Sequence, residues 1–328
     1  MIRKTVSRAG IAMMLAALAA CLTIRSDAAP ADASKKTYTY KTVGGVEIQA
    51  DVYRPNDSTI RPAIAWFHGG ALIVGGRDSI QRQLLPFCRQ EGYALVSFDY
   101  RLAPEAKLPA IVEDVEDAMR WLHEQGPKEL HIDPERVVVA GGSAGGYITL
   151  LTGYRVNPRP KALVSYWGYG DINGDWYTKP SEHYRKERLV SREKAYGCVG
   201  HGILTHTEGD QGRERFPYYL YLRQNGLWTT EVSGLDPTTK EGRKKLEPYC
   251  PVRNVSANYP PTLLIHGTAD TDVPYEQSVE MEKALTRQKI PHELITVPDG
   301  SHTLNSGDKK LIEAAHAKAL AFIREHLK

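Results

Sequence analysis

Short, continuous apolar runs recur along this chain, and helical patterns fill the gaps between them. Ala63-Ile64-Ala65-Trp66-Phe67, Ala94-Leu95-Val96-Ser97-Phe98, residues 136–140, Ala162-Leu163-Val164-Ser165-Tyr166 and Thr262-Leu263-Leu264-Ile265 are such runs. A strand that is apolar at nearly every position has no solvent face, so it belongs inside a sheet covered on both sides. Helices between such strands supply the crossovers that parallel pairing requires. Residues 110–124 carry Ile111, Val112, Val115, Met119 and Trp121–Leu122 at helical spacing, and 276–289 and 307–327 are helical by pattern. Ahead of them, residues 37–40 and 46–53 alternate around Gly44-Gly45, which predicts an antiparallel hairpin at one edge. The expected fold class is α/β: a mostly parallel, doubly wound sheet with an antiparallel start.

Residues 167–259 break this rhythm. They hold 9 of the 18 tyrosines and three of the five tryptophans, Trp167, Trp176 and Trp228, but no clear series of buried strands. The stretch reads as an insertion over the carboxyl ends of the strands, where open α/β sheets bind ligands. Most of its aromatics are expected to pack it onto the body.

The most informative turn follows residues 136–140, at Gly141-Gly142-Ser143-Ala144-Gly145-Gly146. A serine on a sharp strand-to-helix turn has little room beside it, so its neighbours must be Gly or Ala. The following helix would aim its first amides at the space where an oxyanion forms. Gly-x-Ser-x-Gly fixes only three positions, so partners must be sought elsewhere. Leu264-Ile265-His266-Gly267-Thr268-Ala269-Asp270 ends a strand-like run, which places Asp270 where a carboxylate could orient a histidine; Asp272 is its rival. Either aspartate could also be a turn residue bonding its own backbone. Of the 11 histidines, His302 follows the last strand-like run, residues 292–297, and completes the chain order Ser, Asp, His. Phe67-His68-Gly69-Gly70-Ala71 ends another strand, and its paired glycines let the backbone approach a substrate. The amides of Gly69, Gly70 and Ala144 are therefore the expected oxyanion hole, against the alternative of a plain turn. His68 and His266 read as structural residues.

With 42 basic and 39 acidic residues, a formal charge of +3 gives no reason to expect nucleic acid as partner. None of the four cysteines has the spacing of a metal site, and no metal or organic cofactor is implied. Residues 1–20 pair Arg3, Lys4 and Arg8 with an apolar run, the pattern of an export signal, and residues 21–36 read as a flexible tether before a catalytic domain at 37–328. Leu18-Ala19-Ala20-Cys21 is similar to a lipoprotein box, so the expected location is secreted, periplasmic or membrane-anchored through lipid on Cys21. Export permits disulfides; Cys198 and Cys250 could pair, whereas Cys88 reads as a buried apolar residue. Oligomeric state is not legible.

These motifs together resemble the α/β-hydrolase superfamily, and most of all the hormone-sensitive-lipase-type carboxylesterases. His68-Gly69-Gly70 resembles their oxyanion loop, Asp99-Tyr100-Arg101-Leu102-Ala103-Pro104-Glu105 a characteristic segment, and His266-Gly267-x-x-Asp270-x-x-Val273-Pro274 with Gly300-Ser301-His302 the acid and base motifs. The resemblance implies Ser143 as nucleophile, Asp270 as acid in preference to Asp272, and His302 as base. It covers residues 38–170 and 260–327 and fades across the insertion. Ala71 stands where the family often has a third glycine, and Gly142 where it often has Asp. The family's lid is N-terminal to the sheet, whereas the extra mass here is internal, as in prolyl-oligopeptidase-like members. The implied activity is hydrolysis of a small-molecule or glycan-linked ester by a serine hydrolase. A peptidase or amidase on the same residues is the alternative, and a binding protein without activity a third reading.

Overall fold

The computed structural model describes residues 33–200, 202–207 and 209–328. The export-signal and Cys21 readings lie outside these residues. Among the described residues, no helix is long and apolar enough to cross a membrane.

The apolar runs form a single sheet of eight strands: β1 (Ala33–Val43), β2 (Val46–Pro55), β3 (Arg61–Phe67), β4 (Ala94–Phe98), β5 (Ile132–Gly142), β6 (Ala162–Tyr166), β7 (Thr262–Gly267) and β8 (His292–Val297). Their spatial order is β1-β2-β4-β3-β5-β6-β7-β8. The chain leaves β3 for β4 on one side, then crosses back to β5 on the other. That reversal opens a crevice at the carboxyl ends of β3 and β5. Strands β3 to β8 pair in parallel, and β2 meets β4 antiparallel.

Alternate residues of each central strand serve opposite faces. Ala63, Ala65 and Phe67 join one buried cluster, while Ile64 and Trp66 join the other. The first face is covered by α2 (Leu108–Gln125) and α3 (Ala144–Arg155); the second by α1 (Leu84–Glu91) and the C-terminal helix, residues 309–326.

The hairpin forms as expected, but it begins earlier. Residues 34–36 are in register with 52–54, so the tether expected through residue 36 gives way to strand at Ala33. Lys35 explains the extension: its ammonium lies 2.6 Å from the buried carboxylate of Asp51. Exposed lysines along β1 also suit an edge strand.

Between β6 and β7 the described residues form helices and no strand: α4 (Asp175–Thr178), α5 (Arg192–Tyr196), α6 (Gln211–Asn225), α7 (Trp228–Ser233) and α8 (Lys240–Leu246). Tyr169, Tyr177, Tyr218 and Trp228 are fully buried, so these aromatics do pack the insertion onto the body. Cys198 and Cys250 are unpaired: the first Sγ faces the Ala195 carbonyl at 3.0 Å, the second the Leu246 carbonyl at 3.4 Å. After β7 come α9 (Glu276–Arg287), β8 and α10 (Lys309–His326).

Candidate active site

Ser143 caps the carboxyl end of β5 with φ 56° and ψ −120°, a conformation costly for a residue with a side chain. The turn closes only because its flanks are glycine. A Cβ on Gly145 would sit 2.0 Å from the Phe67 carbonyl, and one on Gly141 2.2 Å from the Gly145 carbonyl. Gly142 answers to a different neighbour: its Cβ would meet the Trp167 indole at 3.3 Å. Trp167 thus occupies the space that a longer residue before the serine would need.

The three residues expected to act together are together. His302 Nε2 lies 3.0 Å from Ser143 Oγ, and His302 Nδ1 lies 2.7 Å from Asp270 Oδ2. With Nδ1–H donated to the carboxylate, Nε2 is left to accept the serine hydroxyl. Asp270 follows β7, and His302 opens a tight turn after β8 in which Thr303 has φ 62°. Four donors hold the Asp270 carboxylate: His302 and His266 on Oδ2, and the amides of Asp272 and Val273, each at 2.9 Å, on Oδ1. Burial raises its pKa, but the bonds from His266 and His302 outweigh burial and hold it well below the usual carboxylate range. For His302, burial disfavours the charged ring; the Asp270 bond and the charges of Asp272 and Asp270 overcome this, against Arg223, and the net direction is upward.

The Gly69-Gly70 loop lies across the crevice from Ser143. A Cβ on Gly69 would come within 2.9 Å of the Gly142 carbonyl. The amides of Gly69, Gly70 and Ala144 donate to no acceptor among the described residues. His68 is structural, as expected. It is fully buried, donates Nδ1–H to the Gly69 carbonyl at 2.7 Å and stacks on Tyr100 at 4.2 Å.

Ala71, where the resembled family often has glycine, adopts φ 56°, and Leu72 φ 62°. The insertion moulds this loop. Trp228 Nε1 donates to the Ala71 carbonyl at 3.1 Å, Arg215 Nε to the Ile73 carbonyl at 3.1 Å, and Thr207 exchanges bonds with Gly75. Arg215 is itself gripped by Glu105 through two 2.8 Å bonds. The Asp99–Glu105 segment is therefore a bracket around the loop: Tyr100 backs His68, and Glu105 anchors Arg215.

A cavity of about 430 Å³ opens beside Ser143 and His302. Trp66, Val74 and Ile80 give it apolar walls from the body and Trp167 one from the start of the insertion; Phe216 and Tyr219 close it from α6. Among the described residues, no group of His, Cys, Asp or Glu could hold a metal ion.

Sequence reasoning missed several of these residues. His266 is buried at a strand end as expected, yet it also bonds Asp270 through Nε2 at 3.1 Å while Nδ1 accepts from Ser278 at 2.7 Å. Its place four residues before Asp270 was the available signal. Arg215, Phe216, Tyr219 and Arg223 gave none, because their partners lie far along the chain.

Comparison with known proteins bears on this geometry. A model of the BD-FAE family matches residues 50–285. A non-reducing polyketide synthase of Preussia isomera is 26% identical over 316 residues, covering 82% of this chain and 12% of its own length. Another, of Emericella nidulans, is 27% identical over 335 residues, covering 85% of this chain and 13% of its own. The chain thus spans about an eighth of these relatives. Among solved structures, a Staphylococcus aureus protein of unknown function superposes with TM-score 0.69 at 19% identity, over 89% of this chain and 100% of that one. Thermogutta terrifontis esterase 2, phosphoramylated by tabun, gives TM-score 0.60 at 22% identity, over 90% and 94%. Carboxyl esterase 2 of Tuber melanosporum gives 0.60 at 23%, over 90% and 87%. These likenesses bear out the α/β-hydrolase fold.

Proposed function

The chain belongs to the BD-FAE family, and from that premise we propose that it is a serine esterase, cleaving carboxylic esters through an acyl-enzyme on Ser143. The observation that carries the reading is the unbroken hydrogen-bond chain from Ser143 through His302 to Asp270, set beneath three unengaged amides. The esterase names of two of the structural neighbours support the same class.

In this mechanism Ser143 Oγ attacks the acyl carbon as His302 Nε2 takes its proton. Asp270 keeps the ring in the required tautomer and stabilises its charged form. The amides of Gly69, Gly70 and Ala144 receive the developing oxyanion; they are fixed in advance by the turn and by the insertion's grip, so little reorganisation accompanies the step. The leaving oxygen takes the proton from Nε2. Water then repeats the sequence on the acyl-enzyme and returns Ser143. The apolar cavity suits an acyl or aromatic group of modest size. We further place the enzyme outside the cytoplasm, on the strength of residues 1–20 alone.

An acyl-chain series of nitrophenyl esters, run beside peptide anilides, tests the reading. Ester turnover abolished by Ser143→Ala is the expected result. Preferential cleavage of the anilides would turn the assignment to a peptidase on the same residues.

A further inference from the structure

Asp272 stands outside the Ser143–His302–Asp270 chain, yet it borders the same cavity. Its Oδ2 lies 3.5 Å from His302 Nε2, the nitrogen turned away from Asp270. Its other oxygen accepts from Arg223 Nη1 at 2.8 Å, from Tyr184 at 3.0 Å and from the Tyr219 hydroxyl. Arg223 Nη2 also holds the Asp272 carbonyl at 3.0 Å. All these donors come from the insertion. Arg223 is 3% exposed and packed against the rings of Tyr177 and Tyr184, so the carboxylate is held in place. Among the described residues, Oδ2 has no hydrogen-bond donor.

A carboxylate oxygen so placed gains nothing from the neutral ring. There Nε2 presents a lone pair, already engaged by the Ser143 hydroxyl at 3.0 Å. The contact becomes favourable when Nε2 takes the serine proton. An interaction made only in the charged state lowers the barrier and leaves substrate binding alone.

We propose that Asp272 is a second carboxylate for His302, stabilising the ring only while Nε2 carries the proton taken from Ser143. The inference rests on the serine-esterase reading above. Asp272 acts through His302, so it is a positioning residue. The charged groups facing His302 are Asp270 and Asp272 from the turn after β7 and Arg223 from α6, while Trp167 borders the ring edge-on at 6.4 Å. Asp272 and Arg223 act on the ring with opposite sign, and the carboxylate has the larger effect.

The test is an NMR pH titration of His302 in the full chain, beside the pH dependence of nitrophenyl-ester hydrolysis. Asp272→Asn should move the His302 midpoint to lower pH by about one pH unit. It should lower kcat about tenfold with KM within about twofold of wild type. Because that change leaves Arg223 buried without its carboxylate, Asp272→Asn combined with Arg223→Gln provides a second, charge-balanced variant. Its midpoint should move the same way by less. A midpoint unchanged in a folded variant overturns the proposal. A shifted midpoint in a protein whose wild type hydrolyses no ester would overturn the esterase reading and uphold the coupling of Asp272 to His302.

Discussion

Two regions meet over Ser143, and they divide the labour. The loops at the carboxyl ends of β3, β5, β7 and β8 carry every group that the proposed chemistry touches: Gly69, Gly70, Ser143, Ala144, Asp270 and His302. Each of these sits within a few residues of the carboxyl end of a strand. The insertion between β6 and β7 carries none of them. It reaches the site through long side chains that grip the oxyanion loop, wall the cavity and hold Asp272. The reacting groups stand on the rigid frame, while the shape and charge around them are set by a region free to differ.

Substitutions should separate the two regions by size of effect. Ser143→Ala, on the frame, is expected to lower kcat on the order of 10⁶-fold, the loss seen when a triad serine is removed elsewhere. Its thermal midpoint should stay near wild type. Asp270→Asn should cost roughly 10⁴-fold in kcat, since the ring would then lose its fixed tautomer. A loss under about tenfold, with Asp272→Asn costing more, would exchange the roles of the two aspartates.

Trp228→Ala tests the insertion's hold. Removing a fully buried indole should cost about 3–5 kcal/mol in denaturant unfolding. Activity should fall in the molecules that remain folded, because the Ala71 carbonyl loses its donor. Full activity in a destabilised protein would show that the loop keeps its shape unaided.

The pH profile draws on both regions. His302 must be neutral to act as base, so kcat/KM should fall as pH drops through its pKa, which lies above the ordinary histidine value of about 6.5. The smallest effect belongs to Phe216→Ala at the rim of the cavity. KM for longer or aromatic esters should rise a few-fold, by about 1 kcal/mol, with kcat for short esters unchanged.

The same division explains what could be read along the chain. An apolar run between helical patterns suits a buried strand, and the five runs named above all lie in strands of the sheet. The Ser143 turn was legible because backbone crowding leaves Gly141 and Gly145 no room for a side chain. Lys35 extended β1 into the expected tether through an ion pair with Asp51, a contact invisible to local pattern. Arg215 and Glu105 stand 110 positions apart, and Arg223 and Asp272 stand 49 apart. Nothing local marks either pair, because a buried arginine looks like a surface one until its partner is known. Cys198 and Cys250 illustrate the converse: the export expected from residues 1–20 would permit pairing, yet each thiol faces a nearby carbonyl instead.

The most direct test of the account is labelling of the intact protein with a fluorophosphonate, followed by mass spectrometry of its peptides. The account predicts one adduct per chain, on Ser143, lost in Ser143→Ala and strongly slowed in His302→Ala. An unlabelled wild type, or an adduct on another residue that survives Ser143→Ala, would contradict it.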